Sequence, residues 1–241
     1  MIEVQGLEKR FGQVRAVRHV SFNAADGQIT GLLGPNGAGK STTLRMLATV
    51  LRPDAGSARI DGIDVVKHPV EVRHRLGVLP HGAGLYPHLS GRENVRYFGR
   101  LAGLEGKALE RRLDELSDLL DLRDFQDRRA KGYSQGQRTR IALARALVHE
   151  PANLILDEPS AGLDVMATRS LRRLLGDLRD RGICVLFSTH VMQEVAAICD
   201  RIVVIGDGRV VAAGTPDDIR RAMGVEDLEE AFVRAIGESS E

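Results

Sequence analysis

The stretch Gly34-Pro35-Asn36-Gly37-Ala38-Gly39-Lys40-Ser41 constrains the fold more than any other part of the chain. It follows the pattern G-x-x-x-x-G-K-[ST], which has a mechanical use only between a buried strand and a helix. That setting is present. Before it lies the apolar run Gln28-Ile29-Thr30-Gly31-Leu32-Leu33. After it Leu44, Leu47, Ala48 and Leu51 recur at helical period until Pro53 ends the pattern. A glycine loop in this position turns backbone N–H groups toward one point at the positive end of a helix, where phosphate oxygens bind. Gly34, Pro35, Asn36, Gly37, Ala38 and Gly39, with Thr42 in the first helical turn, are therefore candidate nucleotide-contacting residues. Lys40 is expected to reach the β and γ phosphates, and the Ser41 hydroxyl to ligate Mg²⁺. A glycine turn that merely capped a helix would have no use for a Lys-Ser pair at this spacing.

The rest of the chain supplies the frame such a loop needs. Gly77-Val78-Leu79, Asn153-Leu154-Ile155-Leu156 and Ile183 to Phe187 are short, nearly continuous apolar runs, the pattern of parallel strands covered on both faces. From Ile2 to Asn23 short β-branched runs broken by Gly12 predict an antiparallel layer. From Ser90 to Leu122 the chain becomes charged and periodic, with Leu109, Leu113, Leu116 and Leu120 on one helical stripe. This predicts a helical lobe inserted over about 83–150. Arg201 to Ile205 and Arg209 to Ala213 flank Gly206-Asp207-Gly208, a hairpin turn signal. Pro216 to Ile236 predicts two short helices in a C-terminal tail over 215–241, whose last residues, Gly237 to Glu241, have no apolar surface to order them. The expected fold is α/β: a P-loop NTPase core with a mainly parallel sheet, an antiparallel N-terminal β subdomain and an inserted α-helical subdomain, all in one domain, 1–241.

Composition narrows the function. Lys and Arg total 34 against 33 Asp and Glu, a formal charge of +1, so no global electrostatic case for nucleic-acid binding exists. Cys184 and Cys199 have no close metal-ligand spacing, which fits a reducing compartment. No run approaches the roughly 18 apolar residues a membrane span needs, so a membrane role requires a partner.

A second chemical element ends another apolar run, Leu154-Ile155-Leu156-Asp157-Glu158. Carboxylates at the carboxyl edge of an open α/β sheet sit where ligands collect. Neighbours on an extended chain point to opposite sides, so Asp157 is expected to serve Mg²⁺ through water and Glu158 the water that attacks the γ-phosphate.

With these pieces the sequence resembles the ATP-binding cassette ATPases along nearly its whole length. Tyr133-Ser134-Gln135-Gly136-Gln137 is similar to that family's signature segment, and Ser134 with Gln137 also reads as a capping box at a helix start. The resemblance implies that Ser134, Gly136 and Gln137 complete the ATP site of a second subunit. It implies that Ser160-Ala161-Gly162-Leu163-Asp164 contacts that subunit, that His190 holds the γ-phosphate and attacking water in register, and that Phe11 stacks on adenine. Two positions depart from the family pattern. Gln135 replaces a glycine, and His81 stands where a glutamine would touch Mg²⁺ and sense the membrane domain.

Gly84 to Val95 and Leu228 to Val233 look like exporter cassettes of the sodium-extrusion and drug-resistance group. The resemblance thus implies an ATPase with ATP and Mg²⁺ as cofactors, closing head to tail as a homodimer under a separate transmembrane permease. It would be peripheral to the cytoplasmic face of the inner or plasma membrane, with no specific nucleic acid as partner. The competing expectation is a cassette that remodels nucleic acid or ribosomes, although such relatives carry two cassettes or a long coiled-coil insertion.

Overall fold

Period-two burial builds the first layer. In the computed structural model, which describes residues 1–82 and 84–237, β1 (Ile2–Phe11) and β2 (Val14–Ala24) pair antiparallel and bury Ile2, Val4, Val20, Phe22 and Ala24 on one face. The loop after β3 (Ile29–Leu33) leads into α1 (Lys40–Leu47). The chain then returns through β4 (Ala55–Ile60) and β5 (Ile63–Asp64), which complete a four-stranded sheet of order β2-β1-β4-β5. These two strands, and the short helix α2 (Pro69–Arg75) after them, were not expected from sequence. β4 reads Ala-Gly-Ser-Ala-Arg-Ile and carries only two buried side chains, Ala58 and Ile60. It is a strand because β1 offers it a ladder, not because its residues favour one.

The second sheet positions the chemistry. β6 (Leu76–Leu79) precedes the helical stretch, in which α3 (Gly91–Leu101), α4 (Gly106–Leu119) and α5 (Gln135–Leu147) follow one another. Then come β7 (Asn153–Asp157), α6 (Val165–Asp180), β8 (Cys184–Thr189), α7 (Met192–Ile198), β9 (Arg201–Gly206), β10 (Arg209–Gly214), α8 (Pro216–Met223) and α9 (Leu228–Gly237). The order is β10-β9-β3-β8-β7-β6, parallel except for β10. β3, β7 and β8 are buried along their whole lengths, as expected of central parallel strands. In register, Leu33 lies beside Thr189 and Asp157 beside Ser188, so three strand ends open on one edge.

The leucine stripe behaves as read: Leu109, Leu113, Leu116 and Leu120 are buried. They share one apolar cluster with Ile141 and Leu143 of α5 and with Leu154, Leu156 and Phe187 of the sheet. Ser90 and Glu93 form a capping box at the start of α3. The Tyr133 hydroxyl accepts from Gly91 N–H at 3.0 Å and lies 2.7 Å from the Phe125 carbonyl, fastening α3 to the segment before α5. The turn between β9 and β10 has Asp207 at φ 44° and Gly208 at φ 75°, the left-handed pair the Asp-Gly step favours. Cys184 is buried and unpaired, and burial pushes its thiol up to about 12. Ala83, at the expected start of the helical lobe, and residues 238–241 of the expected tail lie outside the described residues.

Candidate nucleotide site

The cradle is shaped by backbone contacts that side chains would block. A Cβ on Gly34 would stand 2.3 Å from the Ile205 carbonyl, and one on Gly39 2.4 Å from the Ala16 carbonyl. Gly37 and Gly39 also adopt φ of 83° and 103°. Gly39 is the N-cap of α1 and gives it no side-chain cap. Among the described residues, the N–H groups of Gly39, Lys40, Ser41 and Thr42 have no hydrogen-bond acceptor, which leaves them to an anion. Pro35 and Asn36 form the exposed rim and Ala38 the buried floor.

Lys40 is 5% exposed, and its ammonium donates to the carbonyls of Gly34 at 2.6 Å and Pro35 at 3.0 Å. Desolvation holds its pKa below the ordinary lysine value, against the opposing pull of Glu158 and Asp157. Among the described residues no carboxylate pairs directly with Lys40, and a polyphosphate would supply that contact. The Ser41 hydroxyl donates to Asp157 Oδ1 at 3.1 Å, and the Ser188 hydroxyl donates to the same oxygen at 2.5 Å. Thr42, next to Ser41 in the first turn of α1, is half-buried.

Glu158 corrects one expectation. It is not extended: β7 ends at Asp157, and Glu158 adopts φ 50°, a left-handed conformation that costs a non-glycine residue on the order of 1–3 kcal/mol. The two acids are separated by this kink and not by strand alternation. The conformation is held because Glu158 N–H donates to the carbonyl (3.2 Å) and hydroxyl (3.1 Å) of Ser188. Its carboxylate lies between two imidazoles, with His190 Nδ1 3.2 Å from Oε1 and His81 Nδ1 3.6 Å from Oε2. Ser188 was missed from sequence. Its position directly before Thr189 and His190 on a strand registered with Asp157 was the available signal, but only strand order makes it a neighbour.

The signature segment is built differently. Ser134 caps α5: its hydroxyl accepts from Gln137 N–H at 3.2 Å, and Ser134 N–H donates to Gln137 Oε1 at 3.1 Å. Ser134 is exposed, and a Cβ on Gly136 would meet only the Ala167 methyl, at 3.6 Å. The departure Gln135 lies against the following loop of its own chain, its Cγ 3.5 Å from where Gly162 would carry a Cβ. A cleft of about 740 Å³ is lined by His81, Gln135, Arg138, Glu158 and Gly162 among others, and by none of residues 34–41. Asp164 caps α6 by accepting from Ala167 N–H at 2.8 Å, after which Val165 and Met166 are 83% and 69% exposed. Phe11 is 49% exposed at the end of β1, with the Lys9 ammonium 5.8 Å from its ring.

The family model described as ABC transporter matches residues 17–161. The ABC transporter ATP-binding protein NatA of Bacillus subtilis (strain 168) is 40% identical, covering 98% of this chain and 98% of the relative. The daunorubicin/doxorubicin resistance ATP-binding protein DrrA of Streptomyces peucetius is 43% identical over 92% of this chain and 68% of its own length. The Nod factor export ATP-binding protein I of Ralstonia nicotianae (strain ATCC BAA-1114 / GMI1000) is 38% identical over 91% and 68%. Among solved structures, the ATP-binding subunit of an ABC transporter superposes with a TM-score of 0.89 at 31% identity, covering 98% of this chain and 99% of the other. The dimeric post-hydrolysis state of an ATP-binding cassette bound to ADP and Pi gives a TM-score of 0.81 at 27% identity over 89% and 98%.

Proposed function

The chain belongs to the ABC transporter family, and from that premise we propose that it is the ATP-hydrolysing subunit of an exporter of the sodium- or drug-extrusion type. It binds ATP in the cradle, closes head to tail with a second copy, and drives a separate transmembrane permease from the cytoplasmic face of the membrane. No helix among the described residues is long and apolar enough to cross a membrane, so the pathway belongs to the partner. The names of the relatives, which include drug resistance and Nod factor export, support the outward direction.

One observation carries the reading: the Asp157 carboxylate at the end of β7 accepts on one oxygen from Ser41 in the first turn of α1 and from Ser188 of β8. Hydroxyl and carboxylate oxygens are hard donors of the kind Mg²⁺ takes in company with phosphate oxygens. The fit favours Ser41 and Asp157 as its protein side, and Mg²⁺ there would neutralise phosphate charge. Glu158 then stands free to accept the proton of the attacking water, with His190 holding its Oε1 in place. His81, assigned from sequence to Mg²⁺, is better understood through its approach to Glu158. Phe11 offers an open aromatic face for the base. Ser134, Gly136 and Gln137 present an exposed helix start to the other copy's nucleotide. Val165 and Met166 give the neighbouring surface an apolar element that a second copy would cover. The helical lobe and the His81 loop form the face turned to the permease.

Sizing chromatography of Glu158→Gln with Mg-ATP, beside phosphate release by the parent, tests this. A nucleotide-dependent dimer in the variant and steady release by the parent are expected. A parent that releases no phosphate, or a variant that hydrolyses at the parent rate, refutes it.

A further inference from the structure

The turn between β9 and β10 touches the cradle at Ala38. Gly208 N–H donates to the carbonyl of Ala38 at 3.0 Å, and the Gly208 carbonyl accepts from Arg18 N–H at 2.6 Å. Asp207 pairs with the Arg18 guanidinium at 2.6 Å. The Ala16 carbonyl of β2 is packed between the two glycines, 2.4 Å from a Cβ on Gly39 and 3.1 Å from one on Gly208. Strand β2, the loop and the hairpin turn therefore meet at one point under Gly39.

This contact has a directional consequence. In a trans peptide the C=O and the following N–H point in opposite directions. Drawing the Ala38 carbonyl down to Gly208 sends the Gly39 N–H up, away from the hairpin, and that N–H has no acceptor among the described residues. We propose that the Asp207-Gly208 turn is a positioning element of the ATP site, which fixes the Ala38–Gly39 peptide so that the Gly39 amide faces the phosphates. The inference rests on the cradle being the ATP site. Neither Asp207 nor Gly208 touches the substrate; they act through the loop.

The test is ATP affinity together with amide exchange in the full chain. Gly208→Ala places a methyl 3.1 Å from the Ala16 carbonyl and 3.2 Å from Arg18 Cγ at a left-handed φ, which lifts the turn off the loop. Losing one aligned N–H to a charged acceptor weakens ATP binding about tenfold. Turnover at saturating ATP should stay within about twofold of the parent, because no group acting on the transition state is removed. Mg-ATP should protect the Gly39 amide from deuterium in the parent and much less in the variant.

Asp207→Asn keeps the left-handed tolerance and loses only the Arg18 charge pair, so a roughly twofold to threefold weakening is expected. Ala213→Gly weakens the same hairpin at an exposed position away from the loop and serves as control. It should lower the melting temperature and leave ATP affinity alone. Unchanged affinity and unchanged Gly39 protection in Gly208→Ala overturn the proposal. So does an equal affinity loss in Ala213→Gly, since hairpin stability alone would then explain it. Should Gly208→Ala fail to fold, Asp207→Asn decides on the same two readouts. Binding by the parent with no change in the variants refutes this inference alone. A parent that does not bind ATP refutes the cradle assignment first.

Discussion

The cradle at the start of α1 and the signature segment at the start of α5 are both helix N-termini suited to anions, yet they are constructed in opposite ways. The cradle begins with an uncapped glycine, leaves four N–H groups without an acceptor among the described residues, and adds a buried ammonium. It is made for a ligand that its own chain does not supply. The α5 terminus is partly satisfied by its own chain: Ser134 and Gln137 cap each other, and Arg128 donates to Gln137 Oε1 at 3.3 Å. Among the described residues it still leaves the N–H groups of Gln135 and Gly136 and the Ser134 hydroxyl hydrogen without an acceptor. In the proposed function the first site binds and the second completes a site on a neighbour. ATP binding and dimer closure should thus be separable by mutation.

The largest effect should fall on chemistry without touching either terminus. Glu158→Gln should lower turnover by about 10²–10⁴-fold, the usual range for losing a general base, and leave ATP affinity near the parent value. Parent-like phosphate release would remove Glu158 from that role. Lys40→Ala deletes a charge-assisted contact from the cradle and should weaken ATP binding by roughly 10–100-fold, measured by titration with a fluorescent ATP analogue. If the comparison is wrong, this variant will bind normally.

Ser134→Arg should leave monomer affinity for ATP within about twofold while abolishing ATP-dependent dimerisation, and losing the cap should cost about 1 kcal/mol of stability by denaturant titration. Loss of monomer binding would show that the two termini are not independent.

The smallest effect concerns the lobe that carries the signature. Hydrogen bonds from Arg96 and Arg92 hold the Glu110 carboxyl at about 2, below its ordinary 4.5. The folded value is depressed, so this contribution is complete above pH 4.5 and is lost as pH falls toward 2. Glu110 is 47% exposed, so solvent screening keeps the contribution small. Glu110→Gln should flatten the fall in melting temperature below about pH 4.5 and change little at neutrality; parallel melting curves would contradict the pairing.

What sequence could and could not convey follows the same division. Gly34 to Ser41 was legible because backbone shape dictates residue type there: a side chain at Gly34 or Gly39 would strike a carbonyl. The central strands were legible because burial on both faces leaves an unbroken apolar run. β4 was not, since its pairing partner makes it a strand. Glu158 was read as extended because its left-handed turn depends on Ser188, thirty positions away. The bond of Ser188 to Asp157 and the Gly208 contact beneath Ala38 were not legible for the same reason: a serine or a turn glycine carries no mark of the strand it will lie beside.

Mixing two inactive variants tests the division between the termini most directly. Lys40→Ala spoils the cradle and keeps α5; Ser134→Arg does the reverse. In a head-to-tail pair, one of the two composite sites then combines the intact cradle of one copy with the intact α5 terminus of the other. At limiting ATP, phosphate release should be low for each variant alone and rise on equal mixing toward roughly a quarter of the parent rate, the value for random pairing in which about half the pairs are mixed and each has one sound site. A mixture no more active than its separate components would contradict the account, because each ATP site would then need only its own chain or require both sites intact.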